Sequence, residues 1–297
     1  MSLGHAGWSL PSVLLLPSDE YNPAEYKIDV GDPLESIRRV VDQSKRLSTG
    51  FDTVDAATGG MRVGSPMLIV GETGTGKSLQ ALNSMLRWDD AGVPSSYWSL
   101  EDDPDMVMLR WIELNGGPPL ERVVRSKRLS EEDAALLEGA ATKIRSRQAS
   151  FYDMVGVDWR RLLACMRWSA RHGGCRAHVV DHLNNVENEQ GIDRVGTLDN
   201  MARGMMAFAR QEQVFLVLVS QFNRQSKTGR EPRRPFLTDI KGSSTLEQLF
   251  KLTVLLWRGV EDGEPYGELS KDNLTGKAPL LFRRRFEGCR LTDTKYG

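Results

Sequence analysis

A chain of 297 residues with 40% hydrophobic and 27% charged side chains has the composition of an ordinary globular protein, long enough for one large domain or two small ones. Its 39 basic and 40 acidic residues cancel, so any affinity for nucleic acid must come from local basic patches, because there is no global field. Three cysteines without a CxxC pair argue against a zinc site or a secreted disulfide framework, and no run approaches the roughly 18 apolar residues of a membrane span; the expected setting is reducing and cytoplasmic.

Residues 1–31 mix prolines, charges and scattered aromatics with no sustained period and read as an arm. Asp32, Pro33 and Glu35 then form a helix start, and Leu34, Ile37 and Val41 stripe one face of a linker helix over 32–47 that fits its own subunit or a neighbour. From 48 to 297 a single domain is expected. Apolar runs at 67–70, 95–100, 176–180 and 214–219 alternate with helical periods over 78–88, 104–114, 130–147, 157–172 and 195–210, the pattern of an α/β fold with a mostly parallel twisted sheet flanked by helices. Ser130 with Asp133 marks a capped start, and Leu198, Met201, Met205 and Phe208 keep one face apolar for the core. After 224 the alternation breaks into a polar loop, and the runs at 252–257 and 279–282 suggest two further strands at one edge.

The stretch Gly71–Ser78, GETGTGKS, fits G-x-x-x-x-G-K-[ST] between a strand and a helix, the context a phosphate-binding loop requires. Gly71, Gly74 and Gly76 let the backbone of Glu72, Thr73 and Thr75 curl so that its N–H groups meet phosphate oxygens. Lys77 would reach the β- and γ-phosphates of ATP or another NTP, and Ser78 would hold Mg²⁺. Hydrolysis also needs an acid at the metal and a group that positions water, and in an open parallel sheet these sit at the carboxyl ends of strands. Asp181 ends AHVVD as a magnesium ligand or its support, Glu101 follows SSYWSL as the water-orienting base, and Gln221 follows FLVLVS as a γ-phosphate sensor. Asp102, Asp103 and Asp105 compete with Glu101 on position alone, though acids there also suit a helix start.

Taken together, STGFDTVDAATGGMRVGSPMLIVGETGTGKS, YWSLE, HVVDHLNNV, VSQFNR and PFLTDIKGSSTLEQ, in this order and spacing, resemble the RecA-like motor domain of DnaB-type replicative DNA helicases, including phage primase-helicases. The resemblance covers about residues 32–290. It implies a RecA-like P-loop NTPase core and a homo-oligomer, a ring of six, with nucleotide between neighbours and single-stranded DNA in the channel of a bacterial or phage-infected cell. It also implies the assignments of Lys77, Ser78, Glu101, Asp181 and Gln221, with primase or a loader as further partners. In LLFRRRFEG it places the arginine finger for the adjacent site on Arg285 and its helper on Arg283.

The segment 224–235, RQSKTGREPRRP, carries five basic residues against one acidic. By composition it is equally a solvated loop or a phosphate-contacting one. The resemblance makes Arg224, Lys227, Arg230, Arg233 and Arg234 channel-facing, with Arg194 the only base of a second channel loop over 184–196. The chain departs from the family pattern at Asp102, where methionine is common, and at Leu249–Lys251. Residues 1–31 are too short for a primase or helical amino-terminal domain, so a motor domain alone is expected. A RecA- or KaiC-like nucleotide switch and a non-hydrolysing scaffold share the loop and the sheet and stay open as alternatives.

Overall fold

The computed structural model describes residues 42, 45–126, 128–222, 234–240, 244–273 and 275–296. The expected arm, residues 32–41, 43 and 44 of the expected linker helix, and Arg224, Lys227, Arg230 and Arg233 lie outside the described residues; the last two residues of that expected helix, Arg46–Leu47, are strand instead. Strand β1 (Arg46–Leu47) pairs antiparallel with β2 (Met61–Arg62) as a small ribbon around helix α1 (Asp52–Thr58). The main sheet is built from β3 (Met67–Gly71), β4 (Ser95–Ser99), β5 (Ala149–Asp153), β6 (Ala177–Asp181), β7 (Phe215–Gln221) and β8 (Leu252–Arg258), all parallel. An antiparallel meander of β9 (Pro265–Asp272), β10 (Leu280–Glu287) and β11 (Arg290–Lys295) extends it. The order is β11-β10-β9-β8-β3-β7-β6-β4-β5, so the α/β, mostly parallel expectation holds.

Helices α2 (Lys77–Asp90), α3 (Pro104–Leu114), α4 (Leu120–Arg125), α5 (Glu131–Ser146), α6 (Trp159–His172), α7 (Arg194–Glu212) and α8 (Ser244–Leu249) connect or cover the strands. Their starts follow local chemistry: the side chains of Ser130, Asp158 and Asp193 accept backbone N–H bonds at the first turns of α5, α6 and α7. None of the described helices is long and apolar enough to cross a membrane.

Successive side chains of a strand point to opposite faces, and two cores result. Met67 and Ile69 join Phe51, Trp88, Trp111 and Phe282 on one side, while Leu68 and Val70 join Leu162, Met205, Phe208 and Phe250 on the other. Leu198, Met201, Met205 and Phe208 are at most 1% exposed, so the apolar stripe of α7 is core.

Two sequence expectations change. The strand over 252–258 is not at the edge; it lies between β3 and β9. Its unbroken LTVLLW is what burial on both faces demands. Strands β5, β9 and β11 were not expected, because ASFYD, PYGELSKD and RLTDTK lack the apolar runs that marked the others.

At the meander, Phe282 stands opposite Gly267 in register and is fully buried, 5.5 Å from the Phe51 ring. A Cβ on Gly267 would come within 2.2 Å of the Phe282 ring. Gly267→Ala is therefore expected to destabilise the fold by about 1–3 kcal/mol through overpacking, read from urea unfolding; unchanged stability would mean the ring has room to move.

Candidate active site

The carboxyl ends of β3, β7, β6 and β4 lie side by side in the sheet, and each delivers a candidate residue to the same end. From β3 the chain turns through Gly71–Gly76 into α2. Gly71 has no room for a side chain: a Cβ would lie 2.6 Å from Thr75 Oγ1 and 2.8 Å from the Leu256 carbonyl. Gly76, the residue before α2, sits at φ +79° and makes no side-chain cap. The first N–H groups of α2 thus lack a capping side chain and carry the positive end of the helix dipole, a setting that favours an anion.

Lys77 is 6% exposed and its Nζ donates to the Glu72 carbonyl at 2.8 Å; Thr75 Oγ1 donates to the same oxygen at 2.8 Å. Burial lowers the Lys77 ammonium from its ordinary value, opposed by the nearby carboxylates of Asp181 and Glu101. A phosphate would supply the counter-charge that a carbonyl only partly provides. Ser78 follows on the first turn of α2, half-buried.

Asp181 closes β6 at 4% exposure. Its Oδ2 accepts the Tyr97 hydroxyl, while Oδ1 is buried without a hydrogen-bond partner among the described residues. Burial, then the Asp181 charge, raises the Tyr97 phenol well above its usual value, so it stays a donor. An orphaned carboxylate oxygen suits a cation. Mg²⁺ takes one or two protein oxygens and completes its shell with phosphate and water, a demand that the free Asp181 oxygen can meet.

Glu101, two residues beyond β4, is half exposed, and its carboxylate meets His182 Nε2. The same Nε2 lies 2.7 Å from Gln221 Nε2 at the end of β7. Burial lowers the His182 imidazole below its ordinary value, which keeps it neutral at neutral pH. Asn184 fixes the end of β7: its Oδ1 accepts from the Gln221 backbone N–H at 2.8 Å and from Ser220 Oγ at 3.0 Å. Asp102 is paired with Arg110, and Asp103 caps α3 by accepting from the Asp105 N–H at 2.8 Å. Of the acids in this stretch, Glu101 is the one whose carboxylate meets the group that Gln221 also contacts.

The arginines of β10 divide by strand alternation. Arg283 and Arg285 are exposed on one face: Arg283 lies over the Tyr296 ring at 4.9 Å, and Arg285 Nε is 3.8 Å from Glu287. Neither has a described contact with its own chain's phosphate loop. Arg284, on the opposite face, does: it is 4% exposed and its Nη1 donates to the Thr75 carbonyl at 2.7 Å. Arg194 is engaged within its own loop, donating to the carbonyls of Val186 and Asn184 and to Asn188 Oδ1 at 3.0 Å. Arg234 pairs with Glu268 and lies over the Trp257 ring at 5.7 Å; the other bases of the expected DNA loop lie outside the described residues.

Sequence reasoning missed Tyr97, His182, Asn184 and Arg284. The first three act across strands, which no local pattern reports. Arg284 was readable, since the alternation in FRRRF puts the middle arginine on the face opposite its neighbours.

A family model described as DnaB-like helicase C terminal domain matches residues 46–277. Replicative DNA helicase DnaB of Leifsonia xyli subsp. xyli is 24% identical over 279 residues, covering 91% of this chain and 58% of that protein. Replicative DNA helicase DnaC of Bacillus subtilis is 22% identical over 242 residues, covering 80% and 52%. The chain spans about half the length of the curated relatives it matches. Among solved structures, a chain described as an ATPase domain superposes with a TM-score of 0.79 at 19% identity, covering 91% of this chain and all of that one. A DnaB-like replicative helicase, solved in a study of its interactions with primase, gives 0.76 at 20%, covering 91% and 67%. These likenesses establish a shared fold.

Proposed function

Because the chain belongs to the family of DnaB-like helicase C-terminal domains, we propose that it is the motor of a replicative-type DNA helicase, hydrolysing ATP or another NTP to translocate on single-stranded DNA and part a duplex as a ring. The observation that carries this reading is the gathering of Lys77, Glu101, His182, Gln221 and the orphaned Asp181 oxygen at one end of the parallel strands. That constellation combines a phosphate cradle with the groups needed to break the bond it cradles.

In this mechanism the loop Gly71–Ser78 binds the phosphates through its backbone N–H groups, and Lys77 leaves the Glu72 carbonyl for the β- and γ-oxygens. Ser78 and Asp181 would hold Mg²⁺, which when bound neutralises charge on the phosphates. Glu101 orients the attacking water and takes its proton. Gln221 responds to the γ-phosphate. A neighbouring subunit's Arg285, assisted by Arg283, faces the charge that develops in transfer, a task suited to a permanently charged planar fork. The basic residues of 224–233 would meet DNA phosphates, Arg194 and Arg234 joining them only on leaving the loop carbonyls and Glu268 that hold them here, and primase or a loader would engage the ring elsewhere.

The test is ATP turnover with and without single-stranded DNA at two ionic strengths. A several-fold stimulation that falls as salt rises from about 50 to about 200 mM is expected, since phosphate contacts release counterions. Turnover indifferent to DNA would instead favour a nucleotide-driven assembly switch.

A further inference from the structure

The buried guanidinium of Arg284 has no place in the mechanism above. Its environment is unusual for a charge: among the described residues no carboxylate pairs with it, and its partners are the Thr75 carbonyl at 2.7 Å and Gln80 Oε1 at 3.3 Å, with Nε left unpartnered. Burial pushes it down to about 9, only partly offset by the charge of Asp293, its cross-strand neighbour on β11. Burying a cation with no hydrogen-bonded anion is costly, and an apolar side chain of similar volume often serves stability as well or better. A stability role alone therefore explains this residue poorly.

The placement of its contacts is informative. Thr75 and Gly76 share a planar trans peptide, so the Gly76 N–H points opposite to the Thr75 carbonyl. A cation on that carbonyl holds the peptide with its N–H turned to the side away from Arg284. The same charge polarises the peptide and strengthens that N–H as a donor. The Phe286 ring, 5.2 Å from the guanidinium, closes over Gly76, where a Cβ would come within 2.7 Å of it. Gln80 is itself fixed, its Nε2 donating to the Gly50 carbonyl at 2.7 Å. Strand β10 thereby holds one side of the phosphate loop with Arg284 and Phe286 and leaves Arg283 and Arg285 exposed.

We propose that Arg284 is a positioning residue for nucleotide: from outside the loop it sets the Thr75–Gly76 peptide so that its N–H meets a phosphate oxygen of the bound nucleoside triphosphate or diphosphate. The inference rests on the nucleotide-site reading given under Proposed function. It deepens that reading by assigning part of the phosphate affinity to a strand more than 200 residues further along the chain.

Arg284→Met and Arg284→Lys separate this role from a structural one. The measurements are MgADP binding by calorimetry, the KM and kcat for ATP, and the melting temperature of the full chain. For Arg284→Met, MgADP affinity is expected to weaken and KM to rise by about tenfold, the loss of one charge-assisted bond to the cradle. The melting temperature without nucleotide should hold or rise, and kcat should change by less than about threefold. Arg284→Lys should recover much of the affinity. A purely structural residue would instead lower the melting temperature and the active fraction, leaving KM and MgADP affinity as they were, and that result overturns the proposal. Should the methionine variant fail to fold, the uncharged Arg284→Gln decides on the same readouts: MgADP affinity weaker than that of Arg284→Lys supports the role, and wild-type affinity refutes it. Failure of the wild-type protein to bind MgADP would overturn the nucleotide-site reading itself, a result distinct from equal binding by wild type and variant.

Discussion

Glu101→Gln is expected to lower ATP turnover by about 10²- to 10⁴-fold, the range by which a positioned base assists proton transfer, while MgADP affinity stays within about twofold. The two readouts part because Glu101 has no described hydrogen bond to the phosphate loop: it stands on the segment after β4 with its carboxylate against His182. Glutamine keeps the size and one acceptor of that side chain but cannot take a proton. A neutral imidazole nitrogen either donates or accepts, so His182 Nε2 cannot serve Glu101 and the Gln221 amide in the same sense. Movement of Gln221 toward a γ-phosphate would leave Nε2 to the Glu101 carboxylate, which ties the base's orientation to the presence of the group it attacks. Full turnover in Glu101→Gln, measured at saturating ATP and DNA, would move the base elsewhere, with Asp102 disfavoured by its pairing to Arg110.

The parts of this site that were legible in sequence are those that local geometry dictates. A glycine-rich turn between an apolar strand and a helix has few other uses, and the last residues of AHVVD and FLVLVS stand at the carboxyl ends of their strands whatever the strand order. Strand order itself is a long-range property. LTVLLW read as an edge strand because it followed a polar break, although an unbroken apolar run belongs in the middle of a sheet, where the structure puts it. Buried polar residues were harder still. Tyr97 on Asp181, and Asn184 beneath Gln221, bridge residues 84 and 37 positions apart, and nothing in either residue's neighbourhood in sequence calls for its partner. Arg284 sits in plain sight within a triplet whose outer members drew attention by resemblance. Its role depends on a loop 209 positions away. The basic loop over 224–235 lies mostly outside the described residues.

Acid should undo the fold through a residue of the same strand that carries Asp181. His178 is fully buried in β6, its Nδ1 2.7 Å from Ser96 Oγ, its ring stacked near Trp98 and edge-on to Phe208 at 5.3 Å, and its Nε2 without a partner among the described residues. Ser96 Oγ accepts from Trp98 Nε1 at 2.8 Å, which leaves its own proton for Nδ1 and assigns the neutral imidazole as acceptor there. Burial, with a smaller contribution from Arg176, lowers the group to about 3, whereas in the unfolded chain it titrates near 6.5. Between those values the unfolded state binds the extra proton, so stability rises with pH in that window. The contribution is fully present above about pH 6.5 and is lost as pH falls toward about 3. Each pH unit within the window costs about 1.4 kcal/mol, or about 4–5 kcal/mol across it. That is comparable with the whole stability of many domains. Carboxylates also titrate in acid, so the measurement is a comparison: urea unfolding of wild type and His178→Gln at pH 7, 6, 5 and 4. Glutamine retains an acceptor for Ser96 and binds no proton. The wild-type stability should fall more steeply than the variant's by about 1 kcal/mol or more per pH unit below 6, and parallel lines would show that His178 is protonated within the fold without penalty.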